Sequence, residues 1–249
     1  MASSSQESAS RAGLYVGTSG WAYASWKPDF FPPEVKQKDF LRYYATRLNT
    51  TEVNYTFRRM LAESTAEKWL AETPDNFKFI FKAHQAITHF KRLKDAQEPL
   101  ERFVNSLNPI ERAGRLGPAL FQLPPNLKCD LPLLQQFLGS VPKRLRCAFE
   151  FRHQSWFADE VYRVLSEHNA ALCVAENEDL VTPDVVTASF SYYRYRKPEY
   201  SSSDLHQIAG RLGSHAHTRE VYVFFKHEDL PQGPVWASEV LKLAEENAR

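Results

Sequence analysis

Seven ionisable side chains lie near the ends of short apolar segments, where they can bind an anion or transfer a proton. Three are carboxylates and four are cations: Glu52, Glu150 and Glu176, and Lys82, Arg152, Arg194 and Lys226. Burial costs several kcal/mol for each unpaired charge, so stability alone is a poor reason to keep such a set. We therefore expect a functional site with a slight positive excess. The alternative is a layer of ion pairs that only fills the interior.

The alternation of side chains along a strand predicts which residues share a face. Because successive side chains point to opposite faces, residues two apart lie together. The inward sets predicted in this way are Glu52 and Asn54; Ile80 and Lys82; Leu120 and Gln122; Ala148, Glu150 and Arg152; Leu172, Val174 and Glu176; Tyr192 and Arg194; and Tyr222, Phe224 and Lys226. The opposite face of the fifth segment holds Cys147, Phe149 and Phe151, which suits contact with helices.

The residue types suggest roles within this set. Glu150 is the predicted general acid or base, Glu52 a second carboxylate, and His89 a proton-transfer group near neutral pH. Two opposed carboxylates divide acid and base roles only if their environments separate their pKa values. The predicted substrate-binding residues are Trp21, Asn54, Lys82, Gln122, Arg152, His153, Glu176, Arg194 and Lys226. Trp21 suits stacking on a sugar or base, whereas Trp26 and Trp156 are predicted to pack in the core.

Eight short segments rich in β-branched and aromatic residues must position these side chains. The predicted strands are Leu14–Thr18, Thr51–Thr56, Phe77–Lys82, Ala119–Leu123, Cys147–Arg152, Ala171–Glu176, Phe190–Arg194 and Val221–Lys226. Segments of helical period lie between or after them. The predicted helices are Lys38–Thr46, Ser64–Ala71, Asp95–Ala113, Leu131–Leu138, Asp159–His168, Ser203–Leu212 and Trp236–Asn247.

The alternation of strands and helices predicts an α/β fold with parallel strands, and eight repeats favour a TIM-type (β/α)8 barrel. One unit is degenerate, because the stretch between strands six and seven, Asn177–Thr187, contains Pro183 and is too short for a regular crossover helix. An open doubly wound sheet is the alternative architecture. We expect residues 1–12 to form a disordered tail and residues 13–249 to form one domain.

Composition narrows the classes of function. The 249 residues suit one barrel, which needs about 250. A formal net charge of +1 supplies no long-range field to recruit a polyanion. The three cysteines lack metal-site spacing and favour a reducing compartment. The Ser- and Ala-rich start has neither the apolar run of a signal peptide nor that of a membrane span, so we expect a cytoplasmic protein.

Ligand and partner types stay open at this point. A small anionic, phosphorylated or sugar-like substrate fits a hydrolase or lyase, with no cofactor and no metal expected. His84, His89, His153 and the three glutamates are nevertheless candidate metal ligands, although HExxH and cysteine-quartet motifs are absent. Nucleic-acid binding through Arg194, Arg196, Lys197, Lys226 and the aromatics after the first strand is the competing interpretation. A non-catalytic ligand-binding barrel is a third.

Five ordered motifs of this chain resemble one known family. They are Gly17-Thr18-Ser19-Gly20-Trp21; Thr51-Glu52-Val53-Asn54-Tyr55-Thr56-Phe57; Lys82-Ala83 with Thr88-His89; Leu116-Gly117-Pro118 with Phe121-Gln122-Leu123-Pro124-Pro125; and Glu150-Phe151-Arg152-His153 with Ser155-Trp156-Phe157. Together they are similar to the signature blocks of the YecE-like domain-of-unknown-function family DUF72. The resemblance runs from about Leu14 to Ala237.

This resemblance implies a TIM-type barrel, related in shape to barrels that act on sugars and on damaged DNA, and it carries over no catalytic residue. The chain also departs from the family pattern at two places. Tyr193–Lys197 stands where a His-Gly pair is expected, and Phe225–Asp229 where Phe-Asn-Asn is expected. Both changes make the rim beside strands seven and eight more basic, which predicts a different ligand preference.

Overall fold

The structure, a computed structural model, describes residues 13–176, 180–216, 220–226 and 230–247, so the predicted tail at residues 1–12 lies outside the described residues. The described part forms eight strands and eight α-helices. The strands are β1 (Leu14–Ser19), β2 (Thr50–Val53), β3 (Lys78–Phe81), β4 (Ala119–Gln122), β5 (Cys147–Glu150), β6 (Ala171–Ala175), β7 (Phe190–Tyr195) and β8 (Glu220–Phe225).

The strands form a parallel barrel. Their order is β3-β2-β1-β8-β7-β6-β5-β4, and every hydrogen-bonded pair is parallel. Parallel bridges from Phe79 to Leu116 and from Lys82 to Leu120 join the two end strands, β3 and β4. The predicted TIM-type (β/α)8 barrel is therefore confirmed, and the open doubly wound sheet is excluded.

The helices pack around the strands. They are α1 (Phe40–Tyr44), α2 (Glu63–Glu72), α3 (Gln97–Ser106), α4 (Asn108–Arg112), α5 (Leu131–Ser140), α6 (Asp159–Glu167), α7 (Ser202–Ala216) and α8 (Gln232–Glu246). The single helix predicted over Asp95–Ala113 was wrong: it divides into α3 and α4, with Pro109 in the first turn of α4. Proline lacks the amide hydrogen of a helix interior and its ring obstructs the preceding turn, so a new helix begins there.

The predicted second strand was too long. β2 ends at Val53, and Tyr55–Phe57 form a single 3-10 turn at the mouth of the barrel. Thr56 anchors this turn, because its hydroxyl donates to the backbone oxygen of Lys82 over 2.8 Å. The bend brings the Phe57 ring close to the end of β3.

The connection from β6 to β7 is the degenerate unit that the sequence predicts. Its described part, residues 180–189, contains no helix. Side-chain hydrogen bonds hold it instead: Thr187 donates to the Ala170 oxygen at 2.7 Å and accepts from the Leu172 amide at 2.8 Å. Thr182 donates to the Ala175 oxygen at 3.1 Å.

Within the described ranges, no helix has both the length and the apolar character needed to cross a membrane.

Two apolar clusters show which strand face points inward. The larger cluster lies between strands and helices and includes Phe149 and Phe151, as predicted. The lumen cluster comprises Ile80, Leu120, Ala148, Ala171, Cys173, Ala175, Phe190, Tyr192, Tyr222 and Phe224. The inward face predicted for strand six was therefore wrong, since Leu172 and Val174 face the helices. Alanine and cysteine suit the inward face of β6 because Cys173 pairs with Tyr192 and Ala175 with Arg194 on β7, and these neighbours need space.

The N-terminal end of the lumen is closed by side chains. Tyr15 stacks on Tyr222 with ring centroids 4.8 Å apart, and Arg146 donates to the Tyr222 hydroxyl at 2.9 Å. Arg146 also pairs with Glu220. The predicted site residues lie at the opposite, C-terminal end of the strands, where barrels of this fold build their active sites.

Gly17 sets the contact between β1 and β2. A Cβ atom on this residue would lie 2.0 Å from the backbone oxygen of Thr50 and 2.9 Å from the Tyr44 hydroxyl. That hydroxyl donates to the same Thr50 oxygen and accepts from the Thr18 amide. Gly17→Ala is therefore expected to lower the free energy of unfolding by about 3 kcal/mol, as overpacking does when backbone must move. Urea denaturation measures this change.

The matched control is Gly139→Ala in α5, where no atom lies within 4 Å of the added Cβ. Alanine favours a helix by roughly 1 kcal/mol over glycine, so this control keeps or increases stability. Equal stability of the two variants would contradict the role given to Gly17.

Candidate functional site

A buried ion-pair network forms the C-terminal layer of the lumen. Arg194 of β7 reaches across the barrel to Glu52 of β2, with Nη2 2.6 Å from Oε1, and its Nη1 binds Oε2 of Glu150 on β5. Glu52 and Glu150 are 0% exposed and Arg194 is 1% exposed. Three of the predicted site residues are thus brought together on one guanidinium.

Polar neighbours complete the pairing of both carboxylates. Glu52 accepts from the Ser19 hydroxyl at 2.8 Å and from the Tyr192 hydroxyl at 2.6 Å. Strand register explains the first contact, because Ser19 and Glu52 are directly paired across β1 and β2.

Glu150 has two further donors besides Arg194. The Gln122 amide donates to it over 2.9 Å, and Arg196 Nη2 lies 2.9 Å from each of its oxygens. Gln122 is paired with Glu150 in the register of β4 and β5. Both buried carboxylates are therefore held by charged and neutral donors together, as buried charges require.

These contacts keep both carboxylates ionised. Burial is the largest effect and by itself would raise the pKa of each, but the charge of Arg194, the hydrogen bonds from Tyr192 and Ser19 and the charge of Lys82 together lower the pKa of Glu52. Arg194 and Arg196 together lower the pKa of Glu150 to about 2. A carboxylate of this kind holds no proton to donate near neutral pH.

The surroundings of the two glutamates do not favour the predicted division of acid and base roles between them, and those catalytic roles stay predictions. Acid–base division requires one raised pKa, whereas the pKa values of Glu52 and Glu150 are both lowered. A glycosidase also holds the scissile bond between its carboxylates. Here the Arg194 guanidinium binds both Glu52 and Glu150 and fills that position. Both glutamates bind Arg194, and Glu150 also binds Arg196.

Lys82 follows β3 at the edge of this network. Its Nζ donates to the Gln122 side-chain oxygen at 2.8 Å and lies 4.4 Å from the centroid of the Phe57 ring. Burial lowers the pKa of this amine, Arg194 and Lys226 lower it further, and Glu52 and Glu150 partly oppose them, which leaves a pKa of about 8. Lys82 therefore exchanges a proton close to neutral pH.

His89 also packs on Phe57. The two rings meet edge to face with centroids 4.9 Å apart, and His89 Nδ1 is 2.8 Å from the Thr88 hydroxyl. Burial, followed by the charges of Lys82, Arg152 and Arg92, lowers the pKa of His89. The lowered pKa favours the neutral imidazole, and the proton-transfer role predicted for His89 stays a prediction.

Aromatic residues follow the ends of β1, β2 and β3. Trp21 is half-buried and packs edge to face on Trp69 at 5.0 Å, while Tyr55 packs on Trp69 at 6.5 Å. Phe90 is 72% exposed at the end of the π-helical turn Ala86–Phe90. Trp26 and Trp156, by contrast, are buried packing residues as predicted.

Arg152, His153 and Glu176 lie apart from the buried network. They line a cavity of about 1020 Å³ beside the ends of β5, β6 and β7. Arg152 is exposed, so the prediction that it points inward with Glu150 was wrong: β5 ends at Glu150, and the alternation of a strand no longer applies two residues later. His153 is half-buried, and its Nδ1 accepts from the Ser155 amide at 3.1 Å.

Glu176 shares the outward face of β6 with Leu172 and Val174 and contacts the loop after β7. It accepts from the Arg196 amide at 3.3 Å and from the Tyr200 hydroxyl, and it pairs with Lys197 at 3.9 Å. Arg196 lines the cavity and also binds Glu150, so it connects the cavity with the buried network.

The remaining predicted site residues lie at the mouth. Asn54 is half-buried just after β2. Lys226 is half-buried after β8, its amide donates to the Tyr195 oxygen at 3.0 Å, and its charge acts on Lys82. Residues 227–229, part of the predicted departure from the family pattern, lie outside the described residues.

Sequence reasoning missed three members of the network: Ser19, Tyr192 and Arg196. The sequence predicted that Tyr192 faces inward but assigned it no role in the site. Arg196 was predicted only as a contact for nucleic acid. Their parity was a usable signal, because Arg196 lies two residues after Arg194 and Ser19 lies two residues after Gly17. The reach of Arg196 back to Glu150 required the structure.

Metal ligation by the predicted His and Glu residues finds no geometric support in the part of the chain that the structure describes. No three His, Cys, Asp or Glu side chains converge there in an arrangement suited to a metal ion. Two of the glutamates instead bind arginines. The expectation of a metal-independent protein stays a prediction.

Comparison with known proteins gives a family match over nearly the whole chain. The model for "Protein of unknown function DUF72" matches residues 15–249. UPF0759 protein YunF of Bacillus subtilis is 30% identical over 159 residues, which cover 60% of this chain and 54% of that protein. UPF0759 protein YecE of Escherichia coli is 28% identical over 146 residues, 58% of this chain and 50% of that protein. The match thus spans about half the length of each relative.

Solved structures of similar proteins share the fold. A DUF72 family protein from Thermotoga maritima has a TM-score of 0.83 and 27% identity, with coverage of 94% of this chain and 99% of that one. A DUF72 family protein from Enterococcus faecalis has a TM-score of 0.80 at 16% identity, with coverage of 93% and 95%. At 16% identity, the similarity to the Enterococcus faecalis protein shows a shared fold and nothing more.

Proposed function

This chain belongs to the DUF72 family, and we propose that it is a metal-independent lyase or hydrolase that acts on a small anionic substrate, phosphorylated or sugar-like, at the C-terminal end of the barrel. The observation that carries the proposal is Lys82, an amine with a pKa of about 8 beside a fixed network of buried charges. Amines whose pKa is lowered by burial and by neighbouring charges are typical of functional sites.

The charges around Lys82 favour an anionic ligand. The positive charges of Arg194 and Lys226 both lower the pKa of Lys82. The same charges would attract an anion bound beside the Lys82 amine. An anion placed beside Lys82 would be attracted to its ammonium form and would raise the pKa of the amine. Binding therefore takes up protons at a pH just above 8.

The chemistry favours a lyase over a glycoside hydrolase. Glu52 and Glu150 are both committed to Arg194 and stay ionised, so they do not form a catalytic acid and nucleophile pair. Lys82 instead supplies one base with a pKa near neutral, which is what proton abstraction beside an electron-withdrawing group requires. Glu52, Glu150 and Gln122 act through Lys82 and Arg194 as positioning residues.

The nucleic-acid alternative loses support from the same geometry. Arg194 is 1% exposed, Arg196 binds Glu150, and Lys197 pairs with Glu176. Three of the four proposed phosphate contacts thus already have acidic partners. A small-molecule ligand is therefore the better supported of the two alternatives.

The test is a panel of phosphorylated sugars, sugar acids and oxo acids, measured for binding by calorimetry at pH 8.5 and for turnover with and without EDTA. We expect at least one compound to bind with proton uptake, seen as a binding enthalpy that depends on the ionisation enthalpy of the buffer. Lys82→Met removes the uptake, whereas Lys78→Met retains it, because Lys78 lies at the other end of β3 and donates to the Gly114 oxygen. Absence of both binding and turnover across the panel would overturn the proposal.

A further inference from the structure

We propose that Lys82 forms a covalent imine with an aldehyde or ketone group of the substrate. This inference rests on the proposed function and deepens it, because it limits the substrate to a carbonyl compound that also carries a phosphate or carboxylate. Lys82 thereby becomes a nucleophile as well as a proton carrier.

The immediate contacts of Lys82 suit a nucleophile. Its Nζ donates to a neutral amide oxygen, that of Gln122 at 2.8 Å, and in the described part of the chain no carboxylate oxygen lies within 4 Å of it. Loss of its proton therefore breaks no direct ion pair. Lys68 and Lys197, in contrast, have carboxylate partners at 3.9 Å.

The neutral form is present in useful amounts. With a pKa of about 8 for Lys82, roughly a tenth of the amine is neutral at pH 7, against less than roughly a thousandth for an ordinary lysine. The two buried glutamates keep the amine from a still lower pKa, so that the ammonium form is also available to hold an anion.

An apolar wall limits the approach to one side of the amine. The centroid of the Phe57 ring lies 4.4 Å from Nζ of Lys82. The His89 ring packs edge to face on the same Phe57 ring. A carbonyl carbon therefore has to approach Nζ from a direction other than the one that the Phe57 ring covers. Such positioning of a desolvated lysine is typical of enzymes that form Schiff bases.

The reaction balances without a further reagent. The neutral amine of Lys82 adds to the carbonyl carbon, the carbonyl π bond breaks, and a proton moves from nitrogen to oxygen to give a carbinolamine. The carbon–oxygen bond then breaks as the nitrogen lone pair forms the C=N bond. The oxygen leaves as water with the second amine hydrogen.

Protonation of the imine makes it an electron sink, which assists cleavage or proton loss at the adjacent carbon. This is the step that a lyase on a carbonyl substrate requires.

The test is reductive trapping. The full chain is incubated at pH 8 with pyruvate, dihydroxyacetone phosphate, glycolaldehyde phosphate or pyridoxal 5′-phosphate, reduced with borohydride, and mapped by peptide mass spectrometry. We expect the added mass on the Lys82 peptide, at least about tenfold faster than on the Lys78 peptide, because the pKa of Lys82 is lowered to about 8, which enlarges its neutral fraction. Lys82→Arg abolishes trapping while it keeps a positive charge, and Lys78→Arg leaves trapping unchanged.

Two outcomes separate this inference from the proposed function. The imine is overturned if none of the four probes labels Lys82, or if Lys82 is labelled no faster than Lys78. This conclusion holds even if a compound of the panel binds with proton uptake. Selective labelling of Lys82 supports the imine, and if no turnover is then found for any carbonyl compound, the proposed enzyme activity alone is overturned.

Discussion

Replacement of Arg194 by methionine lowers the free energy of unfolding by about 3–5 kcal/mol at pH 7, as loss of one partner from a buried ion pair does. Methionine fills much of the same volume but supplies no donor to Glu52 or Glu150, both of which are 0% exposed. In this variant Glu150 keeps its hydrogen bonds from Arg196 and Gln122, so Glu52 loses more of its stabilisation than Glu150 does. Urea denaturation measures the change.

The pH dependence of stability distinguishes this variant from the wild type. In the wild type the pKa of Glu150 is about 2 in the folded state against 4.5 as its ordinary value. Its contribution to stability is therefore present above about pH 4.5 and is lost as the pH falls toward 2. In Arg194→Met the effect of burial on Glu52 is opposed only by the hydrogen bonds from Tyr192 and Ser19 and by the charge of Lys82. We expect burial to raise the pKa of Glu52 in this variant, so stability increases as the pH falls from 7 through that raised value.

The control for this variant is Arg102→Met. Arg102 pairs with Glu98 at 3.8 Å on the surface of α3, and both side chains are largely exposed. Loss of an exposed pair changes stability by less than about 1 kcal/mol. An Arg194→Met protein no less stable than this control, or with the acid dependence of the wild type, would show that the network contributes little to the fold.

Replacement of Lys82 by methionine reduces kcat by about 10²–10⁴-fold on the substrate found in the panel, the range that positioned acid–base groups contribute. The fold should persist, because Lys82 is half-buried and makes one side-chain hydrogen bond with the described residues, to Gln122. Near-wild-type unfolding by urea, together with full activity of Lys78→Met, separates loss of catalysis from loss of structure.

The pH profile gives a second readout for Lys82. Since the neutral amine is the reactive form, kcat/KM rises with pH and levels off above a midpoint near its pKa of about 8. Glu150→Gln moves that midpoint to lower pH, because the negative charge of Glu150 raises the pKa of Lys82. A wild-type midpoint that Glu150→Gln leaves unmoved, or activity that survives in Lys82→Met, would remove Lys82 from the mechanism.

The errors in the sequence predictions have physical causes. On β6 the inward residues are Ala171, Cys173 and Ala175, so both faces are apolar and alternation carries no polarity signal. The position of Glu176 then suggested the wrong face. The break between α3 and α4 was readable from Pro109, since proline is unfavourable inside a helix.

The order of strands and helices, and the inward direction of Glu52, Gln122, Glu150 and Arg194, follow from the sequence alone, because the two-residue period of a strand is a local property. Which charges neutralise each other is not local. Arg194 is 142 residues from Glu52 and 44 from Glu150 along the chain, and only closure of the barrel places its guanidinium between them. That pairing lowers the pKa values of both glutamates, and burial together with nearby charges lowers the pKa of Lys82 to about 8. The role proposed for Lys82 therefore depends on the tertiary structure, because the sequence does not show which charges surround each residue.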